Sequence, residues 1–328
     1  MQYKLAEEDY IHGGTQKSVY SIDEVEYTVC PLCGLNQYKE LYKERGAIGI
    51  VECSNCSLIY TNPRVKDAEQ NYFGNADLFY EEDRLIFSGK KPHHRDKNYV
   101  YELTQIKRIK KAGKLLDIGS YAGFFLRKAR ELGFDSEGVE PSPALAEIGR
   151  REFNLTIHNA FFNKKDFSPK SFDVITLIDV FEHVIKPQDM LSHARAVLKD
   201  DGILCIKVPN GNYNKLKLSL ARATGKESQH DIFNSYEHVV HYSPATMKKM
   251  LQKEGFKIKK VIIPLPIDPP IWANLVGHYY SYPSPFILDY KRVVARKIFY
   301  WIGKLENALG MQTKFSPDLM FLIQKDNV

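Results

Sequence analysis

Four of the five cysteines form two close pairs, Cys30-Pro-Leu-Cys33 and Cys53-Ser-Asn-Cys56, in the pattern C-x2-C-x19-C-x2-C. Two such pairs can place four thiolates in a tetrahedron around one zinc ion. Chance pairs of free thiols, or a disulfide, are the alternatives. Residues 1–14 contain acidic side chains and no apolar secretory region, and disulfides are disfavoured in a chain that is not exported. Because four protein ligands leave no position for a water, we expect a structural zinc ribbon and not a catalytic metal.

A second group of residues surrounds the glycine-rich segment LLDIGSYAG, residues 115–123. Here a strand ends near Asp117, a G-x-x-x-G loop follows, and a helix then begins. Such a loop lets the backbone approach a ligand, and the helix N-terminus offers unpaired N–H groups. Tyr121 and Phe124 occupy glycine positions of the dinucleotide fingerprint G-x-G-x-x-G, which argues against NAD. Glu140 ends the next strand, where a carboxylate can accept both hydroxyls of an adenosine ribose; the alternative is a surface glutamate.

Two further segments carry groups that could remove a proton from a substrate. Glu182 and His183 directly follow the fourth strand of the α/β region, and an imidazole with a pKa near 6.5 can accept a proton at neutral pH. Glu182 could orient the ring or contact the substrate. The alternative is that His183 caps the following loop while Glu182 faces solvent. The segment YEHVVHY, residues 236–242, offers His241 as the next candidate base, or as a structural hydrogen-bonding residue.

These groups must be positioned by alternating strands and helices. Ser142-Pro143 and Ser243-Pro244 each predict a helix start, with serine as the N-cap and proline in the first turn. Apolar segments between the helices predict a doubly wound, seven-stranded, Rossmann-like α/β sheet. The predicted strands cover residues 114–118, 136–139, 155–158, 172–178, 203–208, 256–263 and 319–324. Between them we expect, among other elements, a helix over 121–132 and a turn at Asp201-Gly202.

The alternation suggests a division into four regions. We expect an N-terminal arm (1–29), the zinc ribbon (30–65), a helical connector (66–112) and an α/β domain (113–328) with a cap and an insertion (209–242 and 264–317). The second insertion is rich in aromatic residues, and we expect an amphipathic helix over 290–308.

The overall composition excludes several classes of protein. The chain has 328 residues, 44% of them hydrophobic and 26% charged, which excludes disordered, collagenous and disulfide-scaffold proteins. Its formal net charge of +6 is modest for a dedicated nucleic-acid binder. No apolar stretch reaches the roughly 20 residues needed to span a bilayer. We therefore expect a cytoplasmic protein.

The chain resembles the class I S-adenosylmethionine (SAM)-dependent methyltransferases, specifically the branch with an N-terminal zinc ribbon. The resemblance covers most of residues 30–263 and the closing strand. It is specific to the fold and the cofactor, and unspecific about the methyl acceptor. The matching segments are CSNCSLIYTNPR, LLDIGSYAGFFL, EGVEPS, SFDVITLIDVFEHV, DGILCIKVPN and HYSPATMKKMLQKEGF.

The resemblance implies roles for the residues around the glycine loop. Asp117 would orient the amino end of SAM, and Glu140 would hold its ribose. Asn159 lies where this family usually contacts adenine, although Asn159-Ala160-Phe161 departs from the commoner turn that contains glycine or aspartate. The remaining expected cofactor residues are Gly119, Ser120 and Gly123, along the methionine part, and Asp179.

Members of this branch are similar to enzymes that modify sugars of bacterial surface polysaccharides and glycolipids, so the resemblance implies a small-molecule or glycan acceptor. Two alternatives remain: an RNA methyltransferase, to which the spread of basic residues gives little support, and a non-catalytic SAM-binding scaffold. The basic and apolar residues of 290–308 suggest contact with a membrane surface, packing on the sheet, or a dimer interface. The oligomeric state is left open.

Overall fold

Short strands build the N-terminal part of the chain. The computed structural model describes residues 19–68, 86, 93, 95–225, 231–266, 286–311 and 313–326, with the backbone alone at 286–293 and 296. Five strands precede residue 66: β1 (Val25–Glu26), β2 (Tyr38–Glu44), β3 (Ile48–Cys53), β4 (Ile59–Thr61) and β5 (Arg64–Val65). Strands β2, β3 and β4 pair antiparallel, and β1 pairs with β5. The two cysteine pairs flank the β2–β3 hairpin, as a ribbon requires.

Seven later strands form one sheet, which confirms the predicted fold class. Its order is β12-β13-β10-β9-β6-β7-β8, parallel except for β13, which runs antiparallel to both neighbours. The chain leaves β6 towards β7 and then returns to β9 on the other side of β6, and ligands bind at such a switch point in doubly wound sheets. The strands are β6 (Gly113–Ile118), β7 (Phe134–Val139), β8 (Thr156–His158), β9 (Phe172–Ile178), β10 (Leu198–Pro209), β12 (Phe256–Ile262) and β13 (Asp318–Lys325).

Helices cover both faces of this sheet, so its central strands are almost entirely apolar and buried. Both predicted serine caps are present: Ser142 accepts a hydrogen bond from the Leu145 amide, and Ser243 accepts one from the Thr246 amide. The helices are α1 (Asp96–Lys107), α2 (Phe124–Glu131), α3 (Pro143–Phe153), α4 (Pro187–Val197), α5 (Gly211–Ala223), α6 (Pro244–Lys253) and α7 (Phe286–Ala308).

A two-residue strand, β11 (Val240–His241), joins the ribbon and not the central sheet. It pairs antiparallel with β4, so that Val240 lies opposite Tyr60 and His241 opposite Ile59. The small sheet therefore has the order β11-β4-β3-β2. This pairing fixes the predicted cap, residues 209–242, against the ribbon, a relationship that the alternation of strands and helices did not reveal.

Two predicted boundaries differ from the structure. The helix expected from Tyr121 begins at Phe124, because Tyr121 and Gly123 both have left-handed backbone angles that a helix cannot contain. The turn expected at Asp201-Gly202 is instead part of β10, which shifts register against β9 between Leu198 and Ile203. Most of the predicted helical connector, and the aromatic part of the insertion at 267–285, lie outside the described residues.

We find no membrane-crossing helix in the part of the chain that the structure describes: none there is both long and apolar enough.

Candidate active site

The four ribbon cysteines converge as the spacing predicts. Their sulfur atoms all lie within 4.8 Å of one another. Cys30 Sγ is 3.5 Å from Cys56 Sγ, and Cys33 Sγ is 3.5 Å from Cys53 Sγ. Four sulfurs bound tetrahedrally to zinc would be about 3.8 Å apart, given a zinc–sulfur bond of about 2.3 Å. The donor set and its dimensions therefore fit a closed, four-thiolate zinc centre.

The glycine loop forms a cradle between β6 and α2 that has no room for a side chain at either of its two glycines. A Cβ atom on Gly119 would lie 2.5 Å from Val180 Cγ2, and one on Gly123 would lie 2.4 Å from Leu155 Cδ1. Both glycines have positive φ angles, of 72° and 82°. Ser120 between them is buried, and its Oγ has no hydrogen-bond partner among the described residues. A tight backbone turn with an unsatisfied hydroxyl group fits a bound polar ligand.

Glu140 is buried at the end of β7 and connects this loop to the next helix. Its Oε2 accepts a hydrogen bond from the Tyr121 amide at 2.8 Å, and its Oε1 accepts one from the Ser142 amide at 2.9 Å. Burial raises the pKa of Glu140, and these two amides counteract the increase. Each carboxylate oxygen keeps a further lone pair, so the group can still accept two ribose hydroxyls.

Asp117 and Asn159 have more structural partners than the sequence suggested. Asp117 Oδ1 accepts a hydrogen bond from Thr176 Oγ1 at 2.6 Å, and burial raises the pKa of Asp117 to about 8. The Asn159 amide nitrogen donates to the backbone oxygens of Glu140 and Pro141, both at 2.9 Å. Asn159 therefore stabilises the turn after β7 and presents only its carbonyl oxygen to a ligand.

Asp179 lies in a partly buried charge network beside the cradle. Both of its oxygens accept hydrogen bonds from Lys207 Nζ, at 2.9 and 3.1 Å, and Arg95 donates to the same carboxylate. The Lys207 ammonium also lies 3.5 Å from Glu102. Burial alone would raise the pKa of Asp179, but the positive charges of Lys207 and Arg95 hold that pKa well below its usual range. The structure thus gives the predicted cofactor residue Asp179 two cationic protein partners.

His183 is the centre of a second polar cluster, at the carboxyl end of β9. It is buried in a short 3-10 turn, and its Nδ1 lies 3.0 Å from the backbone oxygen of Glu237. A carbonyl oxygen only accepts hydrogen bonds, so Nδ1 carries the proton and Nε2 carries the lone pair in the neutral ring. This Nε2 is 3.9 Å from Glu182 Oε1, and the His238 ring packs edge-on with ring centroids 4.8 Å apart.

His241, the other predicted base, faces the ribbon. Its Nε2 lies 3.5 Å from Thr61 Oγ1, and its ring packs edge-on against Phe233. The Thr61 hydroxyl also donates to the backbone oxygen of His238 at 2.7 Å. Thr61 therefore links the ribbon to the cap segment that carries both His238 and His241.

Burial determines the charge states of these groups. It lowers the pKa of His183 to about 4 and that of His241 to about 3, and it lowers the pKa of His238 well below its usual range. Burial and the nearby Asp179 carboxylate raise the pKa of Glu182 well above its usual range. All three imidazoles are consequently neutral at pH 7, the state in which a histidine can accept a proton.

Comparison with known proteins agrees with this arrangement. A family model described as a methyltransferase domain matches residues 93–261, slightly more than half of the chain. The chain belongs to this methyltransferase family. Its seven-stranded sheet has the strand pairing observed in this fold class, so the expected family and fold are both confirmed.

Individual relatives of this methyltransferase are distant. The chain is 28% identical over 114 residues to a ubiquinone biosynthesis O-methyltransferase of Bradyrhizobium diazoefficiens, a match that covers 34% of the chain and 45% of that protein. The chain thus spans about half the length of the curated relatives it matches.

Among solved structures, a SAM-dependent methyltransferase of Archaeoglobus fulgidus is similar over 74% of this chain and 99% of its own, with 20% identity and a TM-score of 0.45. A possible histamine N-methyltransferase of Thermotoga maritima is similar over 57% of this chain and 81% of its own, with 21% identity and a TM-score of 0.41.

Sequence reasoning missed two parts of the candidate site. The ring of His238 packs edge-on against that of His183, and the only signal was a repeated Glu-His dipeptide, at 182–183 and 237–238. The partly buried Arg95 and the buried Lys207 had no signal at all, because a lysine inside an apolar strand is expected to face solvent. The lysine is tolerated inside the strand because its ammonium group is paired with the Asp179 carboxylate.

Proposed function

We propose that this methyltransferase transfers a methyl group from SAM to a hydroxyl of a small-molecule or glycan acceptor, such as a nucleotide-, lipid- or polysaccharide-linked sugar. The observation that carries the proposal is the fixed tautomer of His183. Its hydrogen bond to the Glu237 backbone oxygen keeps the lone pair on Nε2, at the carboxyl edge of the sheet beside the glycine cradle.

The residues of the cradle fit SAM. The loop at 119–123 approaches the ligand through backbone, the Ser120 hydroxyl supplies a hydrogen-bonding group, and Glu140 supplies a buried carboxylate for the ribose. Bound there, SAM supplies an activated methyl carbon attached to a sulfonium. Asp179 would act indirectly, by holding Arg95 and Lys207 near the cradle.

In the proposed reaction the protein mainly positions the acceptor and removes its proton. The hydroxyl proton of the acceptor would move to His183 Nε2. The acceptor oxygen would bond to the methyl carbon as the carbon–sulfur bond breaks, and that electron pair would remain on sulfur. His238, packed edge-on against His183, would restrict the ring to one orientation.

A polar acceptor is supported by buried polar groups around His183. Glu182 Oε2 and the Tyr242 hydroxyl are buried and have no hydrogen-bond partner among the described residues. Tyr242 stacks on Phe181 with ring centroids 5.0 Å apart. Burial raises the pKa of the Tyr242 hydroxyl well above its usual range, and the Glu182 carboxyl raises it further. Unsatisfied buried groups of this kind favour a ligand with several hydroxyls over an apolar ring.

We further propose that the ribbon binds structural zinc. Its four sulfurs would complete the coordination sphere, so no position would remain for substrate. The hydrogen bonds of Thr61 would transmit the order of the metal centre to the cap.

The decisive experiment is calorimetric titration with SAM and, separately, with NAD, followed by transfer of labelled methyl groups to nucleotide sugars, glycolipids and RNA. We expect binding of SAM alone and transfer to a sugar-containing acceptor. His193→Gln, on helix α4, serves as the control for His183→Gln. Transfer only to RNA would replace the glycan assignment, and absence of SAM binding would contradict the proposed reaction.

A further inference from the structure

Helix α7 exposes a stripe of large apolar side chains. Along α7 and the turn that follows it, Trp301 is 65% exposed and Ile298 is 52% exposed. Single exposed apolar residues are normal, but residues three or four positions apart on a helix form one continuous face. The stripe consists of Val294, Ile298, Trp301 and Leu305, and the exposed Leu309 and Met311 follow just beyond the end of the helix.

The opposite side of the helix is attached to the domain, so the stripe cannot turn inwards. Tyr300 is buried against the core, and Phe299 packs against Phe315 and edge-on against Tyr213 of α5. Glu306 Oε2 accepts hydrogen bonds from the amides of Lys314 and Phe315, at 2.8 and 3.0 Å. These contacts fix the rotation of the helix about its axis.

The charges on the exposed face are positive. Lys297 and Lys304 are exposed beside the stripe, and Lys304 Nζ lies 5.2 Å from the centre of the Trp301 ring. Glu306 is the only acidic residue between positions 290 and 311, and it is buried. The exposed face therefore combines apolar and cationic groups, as an interfacial helix does.

The stripe is attached at the edge of the sheet that carries the candidate site. The loop after α7 is held by Asn210, whose side-chain amide donates to the backbone oxygens of Thr313 and Ser316 at 2.6 and 2.8 Å. Asn210 directly follows β10, the neighbour of β9, and His183 follows β9. The loop after α7 is therefore held beside the strand ends that carry the candidate site.

We propose that this face binds the surface of an anionic lipid bilayer, with Trp301 and its apolar neighbours inserted at the headgroup boundary and the lysines paired with anionic headgroups. A second copy of the chain fits less well, because a symmetric interface through the stripe would bring the lysines at 297 and 304 of one copy close to those of the other. Membrane binding is independent of the proposed reaction; only the corollary that the acceptor is lipid-linked rests on the proposed function.

The test uses the full chain and vesicles of phosphatidylcholine alone or with about 30% phosphatidylglycerol. We expect cosedimentation with the anionic vesicles only, and a blue shift of tryptophan emission. The variant W301Q/L305Q should weaken the partition constant at least tenfold, and K297Q/K304Q should weaken it severalfold. L220Q, which removes an equally exposed leucine from α5, is the matched control and should bind as the wild type does.

Absence of binding of the wild-type chain to anionic vesicles would overturn the proposal. So would binding that W301Q/L305Q leaves unchanged. A dimer in sedimentation velocity that W301Q/L305Q dissociates, without vesicle binding, would assign the stripe to a second copy. SAM titration of W301Q/L305Q shows whether it remains folded. Vesicle binding without methyl transfer to any acceptor would contradict the proposed function and leave the membrane proposal standing.

Discussion

His183 Nδ1 lies 3.0 Å from the backbone oxygen of Glu237, 54 residues further along the chain. This contact joins the end of the central sheet to the cap, and the Val239 amide strengthens the junction by donating to the backbone oxygen of Glu182 at 2.9 Å. Because the hydrogen-bond acceptor is a backbone oxygen, the contact does not depend on which side chain residue 237 carries. The tautomer of His183 is set by how the cap folds.

The first prediction concerns His183 as the proton acceptor. His183→Gln should lower kcat about 100-fold, the lower end of the usual range for a lost general base, while SAM affinity is nearly unchanged. The measurement is steady-state transfer to the acceptor found in the screen, beside calorimetry with SAM. His241→Gln is the comparison: if it alone abolishes turnover, the base is His241.

The second prediction concerns Glu140. Glu140→Ala should weaken SAM binding by about 2 kcal/mol, because charge-assisted hydrogen bonds to the ribose are lost. Titration calorimetry measures the change, with Glu147→Gln on the exposed side of α3 as the control. An unchanged dissociation constant would show that Glu140 serves only to hold the Tyr121 and Ser142 amides.

The third prediction concerns the ribbon. Cys53→Ser should abolish stoichiometric zinc binding, measured by metal analysis of the purified protein. Cys205→Ala, which changes the fifth cysteine, buried in β10, should leave zinc binding unchanged. Loss of zinc should raise the KM for acceptor more than the Kd for SAM, because Thr61 connects the ribbon to the cap and not to the glycine loop. Full zinc content in the serine variant would disprove the four-cysteine site.

The fourth prediction concerns the buried ammonium of Lys207. Lys207→Met should lower the free energy of unfolding by about 3 kcal/mol, because Glu102 and Asp179 lose a buried partner. The double variant with Glu102→Leu should recover part of the loss. Lys199→Met removes a more exposed ion pair with Asp173 and should cost less than about 1 kcal/mol. Urea unfolding measures all three, and equal losses for both lysines would contradict the argument.

The fifth prediction concerns acid stability. The pKa of His183 is lowered to about 4 in the folded protein, so the unfolded chain binds more protons between about pH 6.5 and pH 4. Folding stability therefore falls as the pH drops below about 6.5, and the loss due to His183 reaches about 2 kcal/mol at pH 5. The urea midpoint of His183→Gln should therefore depend less on pH between 7 and 5 than that of the wild type. Parallel pH profiles would contradict this linkage.

The sequence predicted the parts of this molecule that depend on local patterns. The seven strands, the serine caps at Ser142 and Ser243 and the convergence of the cysteine pairs all follow from periodicity, cap chemistry and ligand spacing. Boundaries failed where single backbone angles decide them, as at Tyr121. Such angles depend on the conformation of the whole loop, and the hydrophobic periodicity of the sequence carries no information about them.

Long-range polar partners could not be predicted in the same way. Nothing near Lys207 in the sequence indicates Glu102 or Asp179, and nothing near Thr61 indicates His238. Those contacts depend on how distant elements dock, and each side chain has a common alternative on the protein surface. The glycine loop could be recognised in the sequence because its residues are contiguous. The cluster around His183 could not, because its residues come from the end of β9, the cap and the ribbon.

The pairing of β4 with β11 has a consequence for synthesis of the chain. The ribbon emerges from the ribosome about 180 residues before Val240 and His241, a separation set by the register of the two strands. Until then β4 is an open edge whose N–H and C=O groups can pair with another polypeptide. The nascent chain therefore carries an unpaired strand edge while the residues between β4 and β11 are being made, and pairing with β11 then covers that edge.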